Sequence, residues 1–256
     1  MHEHETKSPK VAIVSHPKSG RSWLRVLIGK ALCDYAGLDD QLIFDKDHLA
    51  QATGVPKISY THEDVGNSKH KHYRELETDK SQYKKKKVLL LIRDPRDVLV
   101  SYYFHVSRRS DLFHGSIAEF TRHEAYGIRK IVTFYNIWQA NLHVPQALLL
   151  LRYEELHADP RGKLREILDF VGAKDIDNGI VQKAVEFASF SNMKKLEESR
   201  HFQSKKLQPG KAEDEDSFKV RRGVVGGYRD DLSLDDCQYI NGVIQEMGCT
   251  FFPTKQ

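Results

Sequence analysis

The chain has 256 residues, 39% of them hydrophobic and 30% charged, which is enough apolar side chain for one full core and excludes a disordered polymer. The net charge of +4, with an isoelectric point near 8.8, is too mild to point to nucleic acid and suits an anionic small molecule. Cys33, Cys237 and Cys249 are scattered and odd in number, so they are expected as free thiols in a reducing compartment rather than as a disulfide framework.

Residues 1–9 read as a frayed tail ahead of a single domain, 10–256. The tail has no signal-peptide core, no later run is long enough to span a bilayer, and no Asn-x-Ser/Thr acceptor occurs, so the expectation is a cytoplasmic protein without membrane contact. The first strand is expected at Lys10–Ser15, a short β-branched run. After it come His16-Pro17-Lys18-Ser19-Gly20-Arg21-Ser22, and then a periodic apolar segment, Trp23, Leu24, Leu27, Ile28, Ala31, Leu32 and Tyr35. A tight loop between a buried strand and a helix turns unpaired amides and the positive end of the helix dipole toward its contents, and Lys18 adds a full charge. The loop therefore reads as a phosphate cradle. It is not the Gly-x-x-x-x-Gly-Lys-Ser/Thr loop of ATPases, because its lysine precedes the glycine.

Further strands are expected at 57–61, 88–92 and 147–152. The lysine run 84–87 reads as a solvated strand start rather than an anion site. Asp94-Pro95 and Asp159-Pro160 each place a capping Asp before a proline at the first helical position. The second of these helices carries Leu164, Ile167, Leu168 and Val171 on one face and stops at Gly172. One helix is expected over 118–141, and a last one from Ser233 to Gly248. Residues 199–219 are polar, with Pro209-Gly210 and the acidic run Glu213-Asp214-Glu215-Asp216, and are expected to form a mobile lid loop. Alternating strands and helices predict an α/β fold, three αβα layers around a central parallel sheet.

In such sheets ligands bind beyond the carboxyl ends of the strands. That rim gathers Lys18 to Trp23 after the first strand, Tyr60-Thr61-His62-Glu63 after the second, Arg93 and Ser101 after the third, and Arg152-Tyr153 after the fourth. The set can hold a nucleotide and present an acid–base group to it.

These residues carry a family resemblance. His16-Pro17-Lys18-Ser19-Gly20-Arg21-Ser22-Trp23-Leu24 resembles the 5′-phosphosulfate loop of the sulfotransferases, usually Tyr-Pro-Lys-Ser-Gly-Thr-Thr-Trp-Leu. The stretch from Leu91-Ile92-Arg93-Asp94-Pro95 to Ser101-Tyr102-Tyr103 is similar to their 3′-phosphate motif. Phe218-Lys219-Val220-Arg221-Arg222-Gly223 with Gly226-Gly227-Tyr228 is similar to their C-terminal Arg-Lys-Gly segment. Arg152-Tyr153-Glu154-Glu155-Leu156 and Ala188-Ser189-Phe190-Ser191-Asn192-Met193 match in order between them, so the resemblance runs over residues 11–232 and is closest to the cytosolic type.

The resemblance implies a P-loop-NTPase-like sulfotransferase fold with 3′-phosphoadenosine 5′-phosphosulfate (PAPS) as sulfonate donor, its bisphosphate (PAP) as product, and no metal. It implies that Lys18, Ser19, Gly20, Arg21, Ser22 and Trp23 receive the 5′-phosphosulfate. Arg93, Ser101 and Arg221 would hold the 3′-phosphate, with Arg222 adding charge and Gly223 an amide. Trp23 and Phe190 would enclose adenine, bordered by Tyr153, Ser189 and Met193. The implied catalytic set is Lys18, His62 and Ser101, with His62 as general base and Lys18 stabilising the leaving phosphate. His48, His105 and Glu63 are rival bases.

Four departures bear on these roles. Tyr60 stands where the family has a lysine, Arg21 where it has a threonine, Ala188 where a threonine contacts adenine, and Gly227-Tyr228 where it has Asp-Trp. The family's dimer motif keeps only a basic start near Arg229, so both a monomer and a homodimer stay open. Two alternatives to a small-molecule sulfotransferase are a PAP-binding protein without turnover, motivated by Tyr60, and a nucleotide kinase. The kinase reading lacks the Gly-Lys-Ser/Thr pair of the ATPase loop and a magnesium carboxylate. The acceptor is not legible, beyond a hydroxyl or amine on a small molecule.

Overall fold

A computed structural model describes residues 10–66, 70–211 and 213–253. The tail expected at 1–9 lies outside them. Four strands, β1 (Lys10–Ser15), β2 (Ile58–Thr61), β3 (Lys86–Ile92) and β4 (Ala147–Arg152), form one sheet in the order β2-β1-β3-β4. All three pairings are parallel; Ile13 lies beside Tyr60 on one side and Leu89 on the other.

The helices between them are α1 (Arg21–Ala36), α2 (Lys46–Thr53), α3 (Pro95–Phe104), α4 (Ile117–Arg122), α5 (Ile128–Ala140), α6 (Tyr153–Ala158), α7 (Pro160–Val171), α8 (Asn178–Phe187), α9 (Phe190–Glu198) and α10 (Leu234–Glu246). The period of two in the strands divides the core between the two sheet faces. Val11, Ile13, Leu89 and Leu91 pack with α1, α7 and α8. Ala12, Val14, Val88, Leu90 and Ile92 pack with α3, α5 and α10. The protein is thus the expected three-layer α/β fold. Central β1 and β3 are buried on both faces, whereas Ala147 to Leu150 of edge strand β4 are only half-buried although equally aliphatic.

The helix starts follow the capping residues. Asp94 accepts from the Arg96 amide, Asp159 from Gly162 and Ser233 from Asp236. The segment 118–141 departs from expectation, splitting into α4 and α5. At the break the Gly127 amide bonds back to His123 O, and a Cβ on Gly127 would lie 2.4 Å from the Thr121 carbonyl oxygen. The chain folds over itself there too tightly for any side chain, which helical periodicity does not register. At its C-terminal end α3 widens into one π-helical turn, His105–Arg109. Among the described residues of 199–219 are the 3₁₀ turns Lys205–Leu207 and Glu215–Ser217, and Phe202 and Leu207 enter the core on the α1 side.

Candidate active site

The loop after β1 opens the site. Lys18 adopts φ +68° and Gly20 φ +100°, so the chain reverses within three residues and delivers Arg21 to the first turn of α1. Its amides Leu24 N and Ser19 N bond within the loop and helix start. Beyond the carboxyl end of the sheet lies a cleft of about 580 Å³. Lys18, Gly20, Arg21, Ser22 and Trp23 line it from the loop, and His62 from the end of β2. Arg93, Ser101 and His105 come from β3 and α3, Tyr153 from the end of β4, Ser189, Phe190 and Met193 from α9, and Arg221, Arg222 and Gly223 from the C-terminal segment. Ser19 does not line the cleft. The loop turns its side chain inward, where it is fully buried.

The walls are fixed by contacts that sequence spacing does not reveal. Arg93 donates to Lys18 O at 3.4 Å and to Val224 O at 3.0 Å, tying the first loop to the C-terminal segment. Its guanidinium lies 4.3 Å over the Tyr153 ring. Trp23 Nε1 donates to Ala188 O at 2.8 Å, so the residue without a side-chain donor still anchors the aromatic wall through its backbone. Glu197, fully buried on α9, accepts from the amides of Lys219 and Val220, both at 2.8 Å, and faces Arg109 at 3.6 Å. Arg221 stacks 3.9 Å over Phe104 and is steered by Asp216 and Asp231.

Positive charge crowds the cleft. Burial, then the neighbouring charges of Lys219, Arg109 and Arg93, lower the Lys18 ammonium to about 7, against the pull of Glu197. Burial and Arg109 lower Lys219 to about 8. Arg21 falls to about 10 through burial and the adjacent Arg25, and its buried Nη1 has no hydrogen-bond partner among the described residues. Arg93 Nε is likewise buried without one. A pocket of cations that depress one another is completed by a polyanion.

His62 is held in one tautomer. Its Nδ1 lies 2.8 Å from Ser15 O, a carbonyl that can only accept, so Nδ1 carries the hydrogen and Nε2 keeps its lone pair. Burial, helped by Arg21, holds its pKa well below the ordinary value, so the ring is neutral. Two rivals lie elsewhere. His48 is exposed on α2, and the Glu63 carboxylate turns inward to Lys80 at 3.2 Å and Trp138 Nε1 at 3.0 Å. His105 does line the cleft, its pKa lowered to about 3 by burial and by Lys18. Tyr60 lies outside the cleft, with the Arg25 guanidinium 3.9 Å over its ring.

A profile of the sulfotransferase domain matches residues 8–249. The chain belongs to the sulfotransferase domain family. Among its relatives, flavonol 3-sulfotransferase of Flaveria bidentis is 25% identical, the match covering 94% of this chain and 82% of that protein. Cytosolic sulfotransferase 3 of Arabidopsis thaliana is 24% identical over 92% of this chain and 76% of its own. Two solved structures share the fold: a mouse sulfotransferase complexed with PAP (TM-score 0.63, 23% identity, 93% of this chain, 84% of that one), and retinol dehydratase in a complex with retinol and PAP (TM-score 0.64, 19% identity, 93% and 81%).

Both of those solved structures hold PAP, the nucleotide that the family resemblance implies for this chain. The cleft suits such a nucleotide: Arg21 and Arg93 line it, each with one buried nitrogen that no described residue pairs with, and Gly20 and Gly223 admit backbone where a Cβ would strike the Tyr153 and Phe190 rings. Among the described residues no group of three His, Cys, Asp or Glu could hold a metal ion, and no helix is long and apolar enough to cross a membrane. Asp97, Arg109, His157, Glu197 and Lys219 also shape the site, and sequence reading missed them. Asp97 and His157 lie four residues after Arg93 and Tyr153, a helical-neighbour spacing that could have flagged both.

Proposed function

We propose that this sulfotransferase moves a sulfonate group from PAPS to a hydroxyl or amine of a small molecule, with His62 as general base and Lys18 as the cation at the leaving 5′-phosphate. The observation that carries the reading is His62: neutral, its Nδ1 committed to Ser15 O, and in one cleft with Lys18. PAPS, when bound, supplies a sulfonate activated by its anhydride link to phosphate. Nε2 of His62 takes the proton as the acceptor oxygen bonds to sulfur, and the Lys18 ammonium neutralises charge on the departing oxygen. Positioning and charge neutralisation supply most of the rate, as in phosphoryl transfer.

Arg93, Ser101, Arg221, Arg222 and Gly223 would hold the 3′-phosphate. Trp23 and Phe190 would enclose adenine, and Ser22, Tyr153, Ser189 and Met193 would complete the nucleotide walls. Residues 199–219 would act as the lid of a single domain in a cytoplasmic protein. The test is calorimetry followed by turnover. PAP should bind well and ADP at least tenfold more weakly, and labelled sulfonate should pass from PAPS to members of a panel of phenols, alcohols and amines. Preference for ADP rejects the nucleotide assignment, and PAP binding without transfer to any acceptor rejects the proposed step.

A further inference from the structure

A second cavity, of about 210 Å³, lies on the α1 side of the edge strand β2. Ile28, Leu32, Leu49 and Val55 give it an apolar floor, and Arg25, Lys46 and Lys206 stand at its margin. Among the described residues none of these three cations forms an ion pair with a carboxylate. The Lys206 ammonium donates to Phe44 O at 3.2 Å and is lowered by burial and by the charges of Arg25 and Lys46, with Asp45 the one acid opposing them. Lys46 and Lys206 are exposed and Arg25 is half-buried, so the rim sets solvated cations beside an apolar floor.

The cavity shares no lining residue with the cleft, but its wall comes near to it along two elements. Arg25 follows Arg21 by one turn of α1, a rise of about 6 Å, and Arg21 lines the cleft together with His62. Tyr60, in the cavity wall, precedes His62 by two residues, a span of about 7 Å in extended chain. The Arg21 charge acts on His62, that of Arg25 acts on Arg21 and on Lys206, and the Arg25 guanidinium lies over the Tyr60 ring. A space of about 150 Å³ holds one benzene ring, so this cavity takes a ring-sized group with an anionic substituent.

Accepting the sulfonate-transfer reading, we propose that the cavity holds the non-reacting end of the acceptor, and that the acceptor is an amphipathic anion. Its apolar body lies on the α1 floor, its carboxylate, sulfate or phosphate meets Arg25, Lys46 and Lys206, and its hydroxyl reaches His62.

The test compares 4-hydroxyphenyl alkanoates of increasing chain length with their methyl esters. The acid should exceed its ester at least tenfold in kcat/KM at one chain length. Lys206→Gln, at an exposed position, should cut that ratio about tenfold while PAP affinity by calorimetry stays unchanged; Arg25→Met should do the same. In a second arm 3-phenylpropanoate, which lacks the hydroxyl, should bind the PAP complex, compete with a neutral phenol, and lose affinity in Lys206→Gln. Equal use of acid and ester overturns the inference and leaves the transfer reading intact. So does non-competitive inhibition, which would mark a separate regulatory site. If neither series is sulfonated, the transfer reading fails instead, and the binding arm still decides the cavity: no binding of 3-phenylpropanoate overturns it.

Discussion

The Asp97 carboxylate lies 3.6 Å from the Arg93 guanidinium and also accepts the amide hydrogens of Gly226, at 2.7 Å, and Tyr228, at 3.0 Å. One buried acid on α3 thus fixes both a cation at the end of β3 and the segment that carries Arg221, Arg222 and Gly223. Asp97→Asn keeps the volume but gives up the charge and turns an amide group toward one of its donors. The expected cost is about 1–3 kcal/mol of folding free energy, with PAP affinity reduced at least tenfold. Thermal denaturation with and without PAP measures both. Unchanged values would mean that other contacts hold the segment.

His62 and His105 share the cleft, and kinetics separates them. His62→Ala should lower kcat by a factor of about 10²–10⁴, the range for a lost general base, with PAP affinity nearly intact. His105→Ala should leave most of the turnover. Comparable losses in both variants, or none in His62→Ala, would move the base.

The pH dependence follows from the same burial. A folded-state pKa below the ordinary value keeps Nε2 free to accept a proton, so the acid limb of kcat/KM should lie well below pH 6.5. Stability has the same sign. His16, lowered to about 3, and His62 stay neutral in the folded protein while the unfolded chain protonates both below pH 6.5. Their contribution is present above that pH and is lost as pH falls toward the folded values, by at most about 3 kcal/mol per unit for two protons. A melting temperature flat between pH 6.5 and 5 would contradict this.

The strands and caps were legible because they rest on local chemistry: aliphatic runs for β1 and β3, and Asp before Pro for α3 and α7. The loop 18–23, Arg93 and His62 were legible because a parallel sheet sends its ligand to one rim. The break between α4 and α5 was not, since it depends on backbone oxygens closing on Gly127. Glu197 was hidden for a related reason: its partners, the amides of Lys219 and Val220, are more than twenty residues away and carry no side-chain signal. Tyr60 was read as a substitution inside the site, yet it stands two residues short of His62 and packs on the α1 side, in the wall of the smaller cavity.

Nucleotide binding should take up protons. In the free protein Lys18 and Lys219 titrate near 7 and 8, so at pH 8 the first is mostly neutral and the second half so. A bound polyanion restores both charges, giving an uptake of between about one and two protons by linkage. Calorimetry of PAP binding at pH 8 in buffers of different ionisation enthalpy measures it. The uptake should shrink toward pH 6 and fall by about one proton in Lys18→Met. No buffer dependence at pH 8 would show that neither ammonium faces the nucleotide.

Gly20 combines φ +100° with a Cβ position 2.5 Å from the Tyr153 ring, and that ring carries the Arg93 guanidinium. Two costs are therefore expected in Gly20→Ala. The left-handed backbone contributes about 1–2 kcal/mol in any background. The collision adds to it only while the aromatic ring is present, and it also displaces Arg93. In a Tyr153→Leu background the second cost should vanish, so the double-mutant cycle in urea should show a favourable coupling of about 1 kcal/mol or more. PAP affinity should be lowered by Gly20→Ala and by Tyr153→Leu, with the double variant no worse than the poorer single one. Strict additivity of both quantities would mean that the loop and the ring do not press on each other.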